Sequence, residues 1–163
     1  MVLQTTVRHV LAKKGSAVVR QIQPTQSVFE ALRLMERHNV GALLVVDGSH
    51  IVGIVSERDY ARKIALNDRL SRNTIVSEIM SSPVVCVTPE DPIEGCLVLM
   101  TEKRIRHLPV LEDGQLIGLV SMGDVVGSVI SDQEFMIDEL TRYVRGSYSG
   151  WFDSFGPGRA AVG

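Results

Sequence analysis

Cysteine is scarce in this chain: Cys86 and Cys96 are the only two among 163 residues. Two are too few for a disulfide framework, and they lack the close paired spacing of a zinc site. They read as small core residues of a cytoplasmic protein. Aromatics make up only 5%, so Val, Ile and Leu must fill the core. No stretch of about 18 apolar residues occurs, which argues against a membrane span. The segment from Met1 to Arg20 alternates polar and apolar residues and carries Arg8, Lys13, Lys14 and Arg20. That pattern lacks the apolar centre of a signal peptide. There is no basic excess, since 17 Lys and Arg face 19 acids for a net charge of −2. A general nucleic-acid binder would carry one. His9, His38, His50 and His107 share no metal-ligand spacing. Neither a phosphate loop of the P-loop type nor a nucleophile–base–acid arrangement is recognisable. A non-catalytic protein without a metal is therefore expected.

What the chain does contain is a repeat. Shifted by 65 residues, Pro24–Tyr60 falls on Pro89–Val125 without a gap, and 10 of 37 positions are identical. Chance similarity rarely holds one offset so long, so the duplication is taken as real. In each copy a helix is expected after a cap: Ser27 with Glu30, then Asp91, Pro92 and Glu94 as N-cap, N1 and N3. Val28, Ala31, Leu32 and Met35 form one helical face, matched by Ile93, Cys96, Leu97 and Met100. Two short apolar runs follow, Ala42–Val46 and Ile51–Val55, split by the turn Asp47-Gly48-Ser49-His50. Glu112-Asp113-Gly114-Gln115 is the second turn. A second helix starts at Ser56 and again at Ser121. Further β-rich stretches, Ala17–Ile22 and Val84–Thr88, precede the first helices. The unit is β-α-β-β-α, written twice, in an α+β fold.

This gives repeat 1 over 7–66, a polar linker over 67–73 and repeat 2 over 74–131. A C-terminal helix is expected over 132–146, with Phe135, Ile137, Leu140 and Val144 apolar and Gly146 as its stop. Residues 147–163 form a Gly- and Ser-rich tail carrying Tyr148, Trp151 and Phe155, which orders only if its aromatics dock.

Two motifs point to chemistry. Gly53-Ile54-Val55-Ser56-Glu57-Arg58-Asp59 is matched by Gly118-Leu119-Val120-Ser121-Met122-Gly123-Asp124. Taken alone, Ser-x-x-Asp is a capping box. A glycine inside a strand, however, allows close approach to the backbone. A helix N-terminus also favours phosphate, and a carboxylate there can accept both hydroxyls of a ribose. The second motif is the basic cluster Lys103-Arg104-Ile105-Arg106-His107, whose counterpart from His38 to Ala42 is almost neutral. Helix-end cations explain Lys103 and Arg104, but Arg106 and His107 lie beyond the helix. One site with much more anion-binding capacity than its twin is the reading.

The duplicated unit ending in Gly-hydrophobic-hydrophobic-Ser-x-x-Asp resembles a CBS-domain pair, or Bateman module, over roughly Val7–Ser131. That resemblance implies two repeats about a pseudo-two-fold axis, with clefts between them for adenosine-containing ligands: AMP, ADP, ATP, NAD or S-adenosylmethionine. It implies that Asp59 and Asp124 hold ribose hydroxyls, with Ser56 and Ser121 at the phosphates. Ile54 and Leu119 line the adenine slot. Arg106 and His107 reach across to the cleft that Asp59 serves, where Arg58 is also available. The second cleft, with Asp124 and Ser121, faces Gly41 and Ala42 and has Gly123 for Arg58. It takes a less charged ligand, stays empty, or receives part of an extended dinucleotide such as NAD. The function implied is signal transduction or energy sensing by a stand-alone cytoplasmic homodimer acting on an effector protein, with no nucleic-acid or membrane partner. The rivals are a ligand-free interaction module and, behind it, a thiol-redox protein using Cys86 or Cys96.

Overall fold

The computed structural model describes residues 5–15 and 18–153, with side chains as far as residue 144. In chain order it contains α1 (Val7–Lys14), β1 (Gln21–Ile22), α2 (Val28–His38), β2 (Ala42–Asp47), β3 (His50–Ser56) and α3 (Glu57–Lys63). After three short 3-10 turns come α4 (Ile93–Lys103), β4 (His107–Glu112), β5 (Gln115–Ser121) and α5 (Met122–Asp153). Of those turns, Ala65–Asn67 ends at the first residue of the expected linker, and Ser71–Asn73 lies within it. Arg72 there lies 3.7 Å from the Phe29 ring centre, fastening it to α2.

The duplication is visible in the strand register. β2 and β3 pair antiparallel from Ala42↔Ser56 to Asp47↔His50, with an irregularity between Val45 and Val46. β4 and β5 repeat this from His107↔Ser121 to Glu112↔Gln115, with the irregularity between Val110 and Leu111. The second hairpin turns through Asp113 and Gly114, both at positive φ, as its two-residue loop demands. Val28, Ala31 and Met35 of α2 and Ile93, Cys96 and Met100 of α4 are buried against these hairpins.

Four expectations change. The first halves of the repeats are not equal in sheet. β1 pairs parallel to β2, whereas in Val84–Thr88 only Val87 bridges to Val110. The Leu44 N–H donates to the Arg20 carbonyl, 3.1 Å. Its counterpart is Pro109, which has no N–H to give.

Second, α4 starts one residue later than the Asp91 cap implies. Pro92 is the N-cap and offers no side-chain acceptor, while the Asp91 carboxylate accepts the Thr88 N–H, 2.7 Å. Third, the second helix of repeat 2 and the C-terminal helix are one continuous element, α5, which runs through Gly146 to Asp153. The expected tail is thus helical at its start, and 154–163, with Phe155, lies outside the described residues.

The fourth change is the largest. The N-terminal segment, to which the sequence reading assigns no element before Ala17, forms α1, and α1 belongs to the core of the second repeat. Val7 and Val10 are buried with Ile93, Met100 and Leu108. Val76 and Ile79, at the start of the second repeat, are buried with the first. Backbone bonds confirm the exchange. Val7 N–H donates to Asp91 O (2.9 Å) and Arg8 N–H to Pro89 O (2.9 Å). The same pattern recurs as Val76 N–H to Gln26 O (2.8 Å) and Ser77 N–H to Pro24 O (3.0 Å). The Thr5 carbonyl accepts the Ile93 N–H, capping α4, just as the Thr74 carbonyl accepts that of Val28. Arg8 adds ion pairs to Glu90 (2.7 Å) and Glu112 (2.6 Å). Each half is therefore completed by the segment that precedes the other.

Candidate functional site

A strand-to-helix corner builds the core of the site. Ser56 ends β3 and is the N-cap of α3: its Oγ accepts the Asp59 N–H (3.3 Å). Asp59 Oδ2 accepts the Ser56 N–H (2.9 Å) and hydroxyl (2.9 Å). The capping box is thus fully formed, and it uses one carboxylate oxygen. The other, Oδ1, lies 2.9 Å from Lys63 Nζ and 3.4 Å from Ser81 Oγ. Asp59 is placed by the corner with its second oxygen turned to a cleft.

That cleft, of about 390 Å³, runs between the two halves. Ile54, Pro83, Val84, Val85 and Ile105 give it an apolar wall. Ser56, Asp59 and Ser81 supply acceptors and hydroxyls. Arg58, Arg62 and Lys63 come from α3, and Arg104, Arg106 and His107 enter from the other half. Arg58 Nη1 donates to the Arg104 carbonyl (3.1 Å), which ties α3 to the end of α4. Burial pushes the His107 pKa below its ordinary value, helped by Lys14 and Arg106 and opposed by Asp124. A neutral imidazole is favoured there. Of the cleft residues, Ile54, Ser56, Arg58, Asp59, Arg106 and His107 are the ones expected from sequence. Arg62, Lys63, Ser81 and the Pro83–Val85 wall were not. Arg62 and Lys63 follow Asp59 by one turn, which helical spacing can reveal; the Ser81 segment is brought in by tertiary pairing of Ile54 with Ser81.

The second corner has the same skeleton. Asp124 Oδ2 accepts the Ser121 N–H (2.8 Å), and Ser121 Oγ accepts the Asp124 N–H (3.2 Å). Its surroundings differ from the expectation. Gly41 lines the first cleft and Ala42 is buried in β2. The second cleft, about 360 Å³, lies between α1 and α5, with Lys13 and Lys14 beside Asp124. Lys14 Nζ sits 2.7 Å from Asp124 Oδ2 and donates to the Leu119 carbonyl (3.2 Å). Burial would raise the Asp124 pKa, but Lys14 and the Ser121 N–H and hydroxyl together hold it below the ordinary carboxylate value. The missing cation is thus supplied by the N-terminal helix.

The strand glycines acquire a structural explanation. A Cβ on Gly53 would stand 2.5 Å from Met80 Sδ, and one on Gly118 would stand 2.7 Å from Leu11 Cδ2. Close approach is required, and the exchanged segments make it. Cys86 and Cys96 are both free, and burial raises the pKa of each thiol. A raised pKa opposes thiolate reactivity. Among the described residues no group of His, Cys, Asp and Glu has metal-site geometry, and no helix is long and apolar enough to cross a membrane.

The CBS domain family model matches residues 17–66 and 76–131. The CBS domain-containing protein CBSX3, mitochondrial, of Arabidopsis thaliana is 38% identical over 88% of this chain and 74% of its own. A solved structure, a putative signal-transduction protein with CBS domains from Burkholderia ambifaria, is 49% identical. It superposes with a TM-score of 0.74 over 79% of this chain and 96% of its own. The CBS domain pair of protein MJ0100, solved with methylthioadenosine and S-adenosyl-L-methionine, shares the fold at 24% identity. Its TM-score is 0.66, over 79% of this chain and 98% of its own.

Proposed function

The chain belongs to the CBS-domain family, and on that premise we propose that it is a non-catalytic regulatory module for an adenine nucleotide. AMP, ADP, ATP or NAD is the ligand, and the cleft beside Asp59 is its seat. One observation carries this reading: three chemically distinct surfaces converge in one cleft. The apolar wall around Ile54 and Val85 suits a base. Asp59 Oδ1 accepts ribose hydroxyls in exchange for its contact with Ser81. Arg58, Arg106 and His107 suit phosphates, because charge-assisted bonds are the strong ones. A protonated His107 would gain from that anion what burial takes away. S-adenosylmethionine has a cationic sulfonium and no phosphate, so the five Lys and Arg side chains of this cleft rank it below the nucleotides.

Phosphate contacts from Arg106 and His107 in one half, with ribose contacts from Asp59 in the other, make ligand affinity depend on how the halves sit. A ligand that prefers one arrangement shifts the population towards it, which is what signalling requires. The reading includes a homodimer, an effector protein and a cytoplasmic place, and the two unpaired cysteines support the last of these. The rival, a ligand-free interaction module, is favoured by the completeness of the capping box.

Thermal-shift and calorimetric titration with AMP, ATP, NAD and S-adenosylmethionine tests the proposal. Asp59→Ala discriminates between the readings. Loss of the cap costs about 1 kcal/mol of stability under either one. Under ours, nucleotide binding at this cleft is also lost; a wild-type chain that binds none of the four sinks the reading.

A further inference from the structure

The family match ends at residue 131, but α5 continues for 22 residues to Asp153, about 33 Å at 1.5 Å per residue. Every residue from 132 to 144 is exposed. In proteins most helical stability comes from packing of an apolar face, and residues 132–144 have none, so the apolar side needs cover. We propose that the exposed stripe of α5 pairs antiparallel with α5 of a second copy of this chain. The inference deepens the homodimer reading above and rests on it, but it is independent of the nucleotide.

Spacing defines the stripe. Val126, Ile130, Ile137, Leu140 and Val144 fall on alternating intervals of four and three, with Gln133 in the remaining place. Those are the a and d positions of a heptad seam. The seam is open: Ile130 is 50% exposed, Ile137 63% and Leu140 59%. A polar residue at one core position fixes register, and Gln133 is suited to that.

The flanks select the partner and its direction. At the e positions stand Glu134 and Thr141, both polar; at the g positions stand Met136 and Tyr143, both apolar and exposed. A parallel pair sets g against e of its neighbour, here Met136 beside Thr141. An antiparallel pair sets g against g and e against e. Aligning Ile137 with Leu140 of the other copy then puts Met136 beside Tyr143, a favourable sulfur–aromatic contact. It also pairs Glu134 with Thr141. The surface is complementary to itself, as an isologous interface requires.

Size-exclusion chromatography with light scattering of the full chain should show a dimer. Ile137→Asp with Leu140→Asp should convert it to a monomer whose melting temperature falls by what the pairing contributed, with nucleotide titration unchanged because both side chains lie outside the clefts. Direction is read by cysteine cross-linking. Met136→Cys and Tyr143→Cys chains, oxidised as a mixture, should form disulfide-linked heterodimers, and neither variant alone should cross-link beyond wild type. A wild-type dimer without that mixed disulfide, or equal cross-linking of a single variant, overturns the helix pairing but leaves a homodimer. A wild-type monomer overturns both and leaves the stripe to another protein.

Discussion

Asp59 and Asp124 occupy equivalent corners, each closed by its own serine, yet the cations around them come from different parts of the chain. Around Asp59 stand Arg58, Arg62, Lys63, Arg104, Arg106 and His107. The positions that correspond in the other half are Gly123, Gly127, Ser128, Asn39, Gly41 and Ala42. Every cation has been exchanged for a small or neutral residue. Asp124 instead holds Lys14, which α1 carries in from outside the repeat. Duplication preserved the skeleton that positions a carboxylate, and charge then diverged on top of it. A backbone ladder and a capping box tolerate such divergence because neither uses the cationic side chains that face the cleft.

The largest expected break in this comparison is in ligand affinity. Arg58→Ala with Arg106→Ala should weaken nucleotide binding by roughly tenfold for each charge-assisted bond lost, at about 1.4 kcal/mol or more apiece. Calorimetric titration reads this directly. Unchanged affinity in the double variant means the phosphates lie elsewhere.

A second contrast concerns the strand glycines. Gly118→Ala presses on Leu11 of α1, whereas Gly53→Ala presses on the more flexible Met80. Overpacking costs about 1–3 kcal/mol, and Gly118→Ala should fall nearer the upper end, because a branched side chain yields less readily. Chemical denaturation of the two variants ranks them, and a larger loss for Gly53→Ala would contradict the packing account.

The smallest effect belongs to Lys14. Lys14→Met removes a partly exposed ion pair, expected to contribute about 0.5 kcal/mol. Asp124 has a lowered pKa, so its favourable interactions stabilise the fold above the ordinary carboxylate value of 3.8 and fade as pH falls through the lower folded value. The gap between wild type and variant should therefore be present at neutral pH and close in acid. A gap that widens in acid would mean that Lys14 acts through something other than this carboxylate.

Much of the scaffold was legible because it is written in local periodicity. The helical faces of α2 and α4, the turns at Gly48 and Gly114, and the Ser56 and Ser121 corners follow from spacing within a dozen residues. Val84–Thr88 misled because composition favours a strand, while the pairing failed on a proline more than twenty residues away. The site was half legible. Arg58 and Asp59 belong to one motif, and the asymmetry of Arg106 and His107 marked the cleft that takes charge. Ser81 and Lys14 carried no such mark, since neither stands in a motif and each acts on a carboxylate that the chain reaches only by folding.

The sequence by itself determined the duplication, the hairpin register and the two carboxylates at helix starts, all products of short-range hydrogen bonding and hydrophobic spacing. Only the tertiary structure decided which segment completes which half. The backbone bonds of α1 to the second repeat keep an offset of 69 from their counterparts rather than 65, so alignment of the repeats cannot show them. Exchange of these segments filled the space above Gly53 and Gly118 and set Lys14 on Asp124. It is burial of Val7, Val10, Val76 and Ile79 in the opposite halves that drives it.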